Sequence, residues 1–283
     1  MTTASILLFL LRGDAKSLRW AEIKGWTGKG IAAPRTELDD LLARAELEKA
    51  GVYILVGTDP DTGQPRAYIG EAEVIRDRLK QHRSREFWIS VIVFVSKDDN
   101  LTKGHIKYLE GKLILEAKEV NRVVLENSAI SGSKLPEADT ADMDEFLARI
   151  RQLLPVLGSD LLTPVISIQT GTKAAPRLFC RKLNAVAQGQ RTANGFVVYK
   201  GSTAVAKDRA ASAKHTPSIV EKRALFLATG KLVRKDDVLE FQEDVEFTSP
   251  SAAAAVIGGG SANGLIEWKD ATGQTLKVID ETA

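Results

Sequence analysis

The spacing of apolar residues divides the chain into short elements. The run Ile6 to Leu11 predicts a strand. Thr36 stands where a helix N-cap would, ahead of Leu38, Leu41, Leu42 and Ala45 at helical spacing, with Gly51 as the stop. Val52–Val56 is apolar and aromatic, Asp59-Pro60-Asp61-Thr62-Gly63 has turn chemistry, and Ala67-Tyr68-Ile69 resumes the strand pattern up to Gly70, which together predict a hairpin. A helix over Glu73–Arg83 would turn Val74, Ile75 and Leu79 inward, and Phe87–Val95 reads as a buried strand. Thr102 caps a further helix whose apolar face is Ile106, Leu109, Leu113 and Ile114. Ala141–Leu154 carries the stripe Met143, Phe146, Leu147, Ile150, Leu153 and Leu154, which Pro155 closes.

Around Pro155–Pro164 the periodicity breaks and the composition shifts to Ser, Thr, Lys and Gly. At 283 residues the chain is long enough for two domains. This places an N-terminal extension at 1–35, a first domain at 36–155 and a second region at 165–283. In the second region Ala193-Asn194-Gly195-Phe196-Val197-Val198-Tyr199-Lys200 is echoed by Ala262-Asn263-Gly264-Leu265-Ile266-Glu267-Trp268-Lys269, which suggests two small related units. In each, Asn-Gly would form a tight turn followed by a strand. Thr216-Pro217-Ser218 and Ser249-Pro250-Ser251 are helix starts. The mixture of strands and helices is α+β in both halves.

Composition narrows the possibilities. Hydrophobic residues are 44%, which excludes a disordered chain. A lone cysteine, Cys180, makes neither an intrachain disulfide nor a cysteine-rich zinc site, and it fits a reducing, cytoplasmic setting. His82, His105 and His215 are scattered, which argues against a histidine metal cluster. Ile6–Leu11 falls far short of the roughly 20 apolar residues of a membrane helix, and no basic segment precedes it as in a signal peptide. The net charge of +2 is unevenly spread: Gly171–Lys235 holds 14 Lys or Arg against Asp208 and Glu221, so this segment is +12 and the remainder −10. Such an excess attracts polyanions; it is equally the signature of a solvated basic face balanced by acids elsewhere.

Three groups of residues could carry chemistry. Glu110 lies four residues from both Ile106 and Ile114, inside an apolar arc, where a carboxylate needs a cationic partner or a metal. Arg78 and His82 are four apart and share a helix face, a pairing suited to phosphate and proton transfer or to a simple basic surface beside Arg76 and Lys80. Tyr53 and Tyr68 lie on the two strands of the hairpin, where tyrosine is also an ordinary packing residue. Gly258–Gly264 follows a helix pattern and is a weak dinucleotide fingerprint, and Gly28-Lys29 lacks the flanking residues of a phosphate loop.

Taken together, Gly51-Val52-Tyr53 and Tyr68-Ile69-Gly70 resemble the two signature tripeptides of the GIY-YIG nuclease superfamily. The resemblance continues through Arg78, His82 and Glu110 to Asn127, covering Ala50 to Asn127. Some members carry a second histidine shortly after the first; here that region reads Phe87-Trp88-Ile89-Ser90-Val91. The end of the chain, 229–283, resembles a second family, of unknown function, that often follows such nuclease domains. Its matching residues are Ser249-Pro250-Ser251-Ala252-Ala253-Ala254, Asn263-Gly264, Trp268-Lys269 and Gly273.

The resemblance implies a small antiparallel sheet flanked by helices and metal-dependent hydrolysis of DNA phosphodiester bonds. On that basis Glu110 would hold Mg²⁺ (or Mn²⁺), Arg78 would stabilise charge on the phosphate, and Tyr53 would contact the attacking water with Tyr68 and His82 nearby. Only on the order of 0.1% of a free tyrosine is phenolate at pH 7, so Tyr53 needs a lowered pKa or a relay through His82. Asn127 would orient this site, with Asn121 as a rival. The basic segment, with Arg181, Lys182, Arg191 and Lys200, would contact the DNA backbone. The alternative is a non-catalytic nucleic-acid-binding protein that keeps the nuclease fold.

Overall fold

The structure, a computed structural model, describes residues 3–59, 63–127, 132–164, 177–192, 195–210 and 212–282. It divides into two units, Met1–Thr163 and Pro164–Ala283.

In the first unit the described strands are β1 (Ile6–Leu10), β2 (Arg19–Ile23), β3 (Gly28–Pro34), β4 (Gly51–Thr58), β5 (Pro65–Ala72), β6 (Trp88–Ser96) and β7 (Val124–Leu125). They form one sheet in the order β1-β2-β3-β6-β4-β5-β7, antiparallel except where β7 joins β5. Residues 1–35 therefore supply β1–β3 of the same sheet as the hairpin. The helices are α1 (Leu38–Leu42), α2 (Ile75–Gln81), α3 (Lys103–Val120) and α4 (Glu137–Val156).

Side chains alternate across a strand, so the sheet sorts its residues into two layers. Val52, Ile54, Ala67, Ile69, Ile92 and Phe94 face α3 and α4, whose Ile106, Leu109, Leu113, Phe146 and Ile150 complete one core. Tyr53, Leu55, Tyr68, Val91 and Val93 face the other way, against Leu41 of α1 and Ile75 and Leu79 of α2. Covered on both faces, β4 and β6 read as nearly unbroken apolar runs. α3 begins as expected: the Thr102 hydroxyl accepts from the His105 amide at 3.3 Å, and His105 Nδ1 accepts from the Thr102 amide at 3.3 Å. Asn121, in the left-handed region at φ 52°, ends it.

Several boundaries differ from the sequence reading. The helix expected from Thr36 is broken into a 3₁₀ turn (Arg35–Glu37), α1 and a second 3₁₀ turn (Ala45–Glu48), and Thr36 is not a cap. A continuous helix turns about 100° per residue, which would set Leu47 roughly 140° away from Leu42. The break lets Leu47 be fully buried alongside Leu38, Leu41 and Leu42. Gly51 opens β4 instead of stopping a helix; a Cβ there would lie 2.3 Å from the Phe94 carbonyl oxygen, so only glycine permits this approach of β6. Val74 is extended, precedes α2 and is 40% exposed, not inward-facing. Pro155 sits inside the last turn of α4. Residues 60–62 of the hairpin turn lie outside the described residues.

In the second unit β8 (Leu178–Lys182), β9 (Ala185–Thr192), β10 (Gly195–Val198), β14 (Val245–Phe247) and β15 (Trp268–Lys269) form a sheet in the order β14-β10-β9-β8-β15. β11 (Thr203–Val205), β12 (Leu232–Lys235) and β13 (Val238–Phe241) form a smaller sheet, and the helices are α5 (Ser212–His215), α6 (Pro217–Ala228), α7 (Pro250–Gly258), α8 (Gly264–Glu267) and α9 (Leu276–Thr282). The core joins Cys180, Phe196, Phe241 and Phe247 to Ala253, Val256 and Ile257 of α7 and to Trp268. Ser249 caps α7, its hydroxyl accepting from the Ala252 amide at 3.1 Å. The two echoing octapeptides fold differently: Gly195–Val198 is a strand, whereas Gly264–Glu267 is a helical turn. Asn263 caps that turn through a 3.1 Å bond from the Leu265 amide, so its side chain promotes a helix where a tight turn and a strand were expected. Ala193 and Asn194, at the other predicted turn, lie outside the described residues.

Candidate active site and nucleic-acid-binding residues

The register of the hairpin builds the site. Tyr53 pairs with Gly70 and Leu55 with Tyr68, so both tyrosines project from one face on diagonally related positions. Their rings stack with centroids 6.0 Å apart. A Cβ on Gly70 would lie 2.4 Å from the Tyr53 Oη, so the glycine of the second tripeptide leaves the space in which the Tyr53 ring lies.

α2 lays Ile75 and Leu79 on the same face and so brings Arg78 and His82 to the tyrosines. His82 Nε2 and Tyr53 Oη are 2.7 Å apart. Arg78 donates from Nε to Tyr53 Oη at 3.3 Å and from Nη2 to Tyr68 Oη at 3.5 Å. Guanidinium groups only donate, so Tyr53 can accept from Arg78 and give its own proton to His82 Nε2. His82 and Tyr53 are buried and Arg78 is exposed, which makes the arginine the rim of the cluster.

Burial, with the Arg85 and Arg78 charges, lowers the His82 pKa to about 4, so its ring is neutral at pH 7. Burial also raises the Tyr53 pKa well above the usual tyrosine value; Tyr68 adds to this and Arg78 opposes it. At neutral pH the pair is therefore a phenol beside a neutral imidazole.

Two arginines that sequence reasoning missed shape this corner. Arg85 lies over the Tyr68 ring, 4.7 Å from its centroid. Arg35 donates to the Arg83 carbonyl at 2.7 Å, bonds the Arg85 carbonyl, and stacks 4.5 Å from the Trp88 ring centroid. Trp88 in turn donates to the His82 carbonyl at 3.0 Å. The density of arginine after α2 signalled Arg85 in the sequence; nothing local signalled Arg35, which lies 50 residues earlier.

Asn127 clamps β5 from its edge: its Oδ1 accepts from the Ile69 amide at 3.2 Å and its Nδ2 donates to the Ile69 carbonyl at 2.5 Å. The side chain thus extends the pairing begun by β7 and fixes the residue between Tyr68 and Gly70. Asn121 instead ends α3. Glu110 comes from the other layer: it is half-buried on α3, which packs on the opposite face of the sheet. The structure therefore brings Tyr53, Tyr68, Arg78 and His82 into one cluster, with Asn127 holding the strand behind it. Among the described residues no three His, Cys, Asp or Glu side chains group as a metal site.

The basic residues of the second unit are unequal. Lys182 bonds Glu267, Arg191 meets Asp280 at 2.5 Å, Lys231 meets Glu243 at 2.8 Å and Lys235 meets Glu240 at 2.6 Å. Arg223 is buried on Asp208 at 2.6 Å and donates to the Val205 carbonyl at 2.6 Å, a packing role. Arg181 and Lys200 are exposed, and the Lys200 amide donates to Asp244 at 2.7 Å. Residues 171–176 of the basic segment lie outside the described residues.

Residues 178–280 match a family described as a domain of unknown function, DUF4357, so the match runs from the first strand of the second unit into α9. No curated protein and no solved structure matches the chain. Among the described residues no helix is long and apolar enough to cross a membrane.

Proposed function

We propose that the first unit is a GIY-YIG-like endonuclease that hydrolyses DNA phosphodiester bonds, and that the second unit holds nucleic acid for it. The observation that carries the reading is the hydrogen-bonded set Arg78–Tyr53–His82 beneath Tyr68. Binding alone would need the arginine but not a phenol bonded to a buried neutral imidazole.

Arg78 reaches the tyrosines through long bonds and is itself exposed, so a phosphate can draw it outward as a bidentate partner. That movement opens Tyr53 to water. As water attacks phosphorus, its proton passes to Tyr53 Oη while the Tyr53 proton passes to His82 Nε2; the phosphorus–oxygen bond to the leaving alkoxide breaks, and the alkoxide is protonated by solvent. The relay avoids a free phenolate, which the burial of Tyr53 disfavours. A bound phosphate also raises the His82 pKa, because it offsets the cations that lower it.

On this reading Glu110 would hold Mg²⁺ through a single carboxylate, with magnesium keeping several waters and taking its remaining ligands from phosphate. Lys103 meets Glu73 at 3.0 Å, just past β5, while β7, just past α3, pairs Val124 with Arg66 at the other end of β5. α3 thus runs antiparallel to β5. Seven helical residues rise about 10.5 Å and three strand residues about 10 Å, so on this reading Glu110 would stand near the level of Gly70, the partner of Tyr53. A metal there would supply positive charge at a phosphate lying over the edge of β5.

The test is Mg²⁺-dependent cleavage of supercoiled, branched and single-stranded DNA by the full chain, beside Glu110→Gln and Tyr53→Phe. The expected result is loss of cleavage in both variants with DNA affinity nearly intact. Turnover that survives Glu110→Gln overturns the metal assignment. A wild-type chain that binds DNA and never cuts it leaves the non-catalytic binding protein as the correct reading.

A further inference from the structure

We infer that the outer face of β8, beside β15, binds an unpaired nucleotide, with Phe179 as the stacking surface for its base and Arg181 and Lys269 as its phosphate contacts. This rests on the nucleic-acid half of the proposed function and not on its chemistry.

Strand alternation separates the two faces of β8. Leu178 and Cys180 point into the core, and Phe179 and Arg181 point out. The register sets Lys269 of β15 opposite Phe179 on one side and Gln188 of β9 opposite it on the other. Arg177 joins the same face, since it donates to the Gln188 carboxamide at 3.4 Å and lies 5.3 Å from the Tyr199 ring centroid. A half-buried phenyl ring is thus bracketed along its strand by two arginines about 7 Å away on either side, with a lysine beside it.

A cleft of about 520 Å³ opens on this face, bordered by Phe179, Arg181, Lys269 and the Asp270–Gly273 turn. That volume suits a small ligand such as one nucleotide, for which clefts of roughly 300–1,000 Å³ are usual. The two bordering carboxylates are engaged: Glu267 bonds Lys182, and Asp270 accepts from the Thr272 amide at 2.9 Å, the Thr272 hydroxyl at 2.7 Å and the Gln274 amide at 2.9 Å. Among the described residues neither Arg181 nor Lys269 meets a carboxylate. The cations left facing the cleft are therefore those beside the ring, the combination by which unpaired nucleic acid is held. A paired base cannot stack on Phe179, so the site selects single strands, frayed ends or flaps over blunt duplex.

The experiment measures binding of the full chain, in EDTA so that no strand is cut, to a fluorescent oligothymidylate and to a blunt duplex across a salt series. Phe179→Ala should weaken oligothymidylate binding on the order of 10- to 100-fold and leave duplex binding unchanged. The double variant Arg181→Gln/Lys269→Gln, on exposed side chains that do not support the core, should lower the single-strand salt slope by about 1.4. Lys235→Gln, on β12 of the smaller sheet and paired with Glu240, is the control and should do neither. Unchanged single-strand affinity and slope in both cleft variants overturn the inference, and so does an equal loss on duplex. If the wild type binds duplex alone, the inference falls while the nucleic-acid reading of the chain stands. If it binds neither, both fall.

Discussion

Acid should cost the first unit stability through one histidine. Folded His82 titrates near 4, lowered by burial and by Arg85 and Arg78, with Tyr53 and Tyr68 as its uncharged neighbours. Unfolded, it titrates near 6.5. Below that value the unfolded chain takes up a proton that the folded chain refuses until about pH 4. The stability of the neutral-ring arrangement is therefore fully present above 6.5 and is lost as pH falls through that window. Between about pH 7.5 and about pH 5 the loss amounts to about 2 kcal/mol. Carboxylates add their own pH dependence, so the comparison is with His82→Gln, whose Oε1 still accepts from the Tyr53 hydroxyl but does not titrate. Hydrogen-exchange protection of the Ile54 and Val93 amides in β4 and β6 reports the first unit alone. The wild-type chain should lose about 2 kcal/mol more protection than the variant across this range. Equal losses would refute a neutral buried His82 and, with it, the proton relay built on that ring.

Gly70→Ala forces a Cβ to within 2.4 Å of Tyr53 Oη; displacing the ring should cost about 1–3 kcal/mol, seen by calorimetry as a fall of roughly 3–10 °C in the first unit's transition. Arg85→Gln removes the larger of the two cationic contributions at His82, and an NMR titration should show its pKa rising from about 4 toward the ordinary value; an unmoved titration would mean that burial alone sets it. Ser249→Ala deletes the cap of α7 and should destabilise the second unit by about 0.5–2 kcal/mol while the first unit's transition stays in place.

Local chemistry was enough to place much of the molecule. β4, β5, β6 and α3 follow from apolar runs, turn residues and the Thr102 cap, because burial on a sheet face and satisfaction of helix-end amides act over a few residues. Tyr53, Tyr68, Arg78 and His82 could be nominated for the same reason: each lies on an element whose period the residues declare. Their meeting could not be read locally. It depends on a two-residue offset in the hairpin register, on the missing side chain of Gly70, and on α2 docking to that particular face.

Where long-range packing outvotes the local pattern, the sequence reading failed. The helix predicted from Thr36 breaks so that Leu47 can reach the core, Gly51 serves β6 and not a helix end, and of the echoed segments Gly195–Val198 is a strand while Gly264–Glu267 is a helical turn. Arg35, 50 residues before Arg85 in the chain, reaches its carbonyl only because β3 lies beside β6. The +12 segment looked uniform as a tally, but charge is a sum and accessibility is not. Residue types able to move a proton or meet a phosphate are legible from the chain alone. Packing assigned Lys182, Arg191 and Arg223 to carboxylates, while among the described residues Arg181 and Lys269, beside Phe179, meet none. The physical reason is that an ion pair is fixed by where two chain segments are packed, and these segments are up to 89 residues apart.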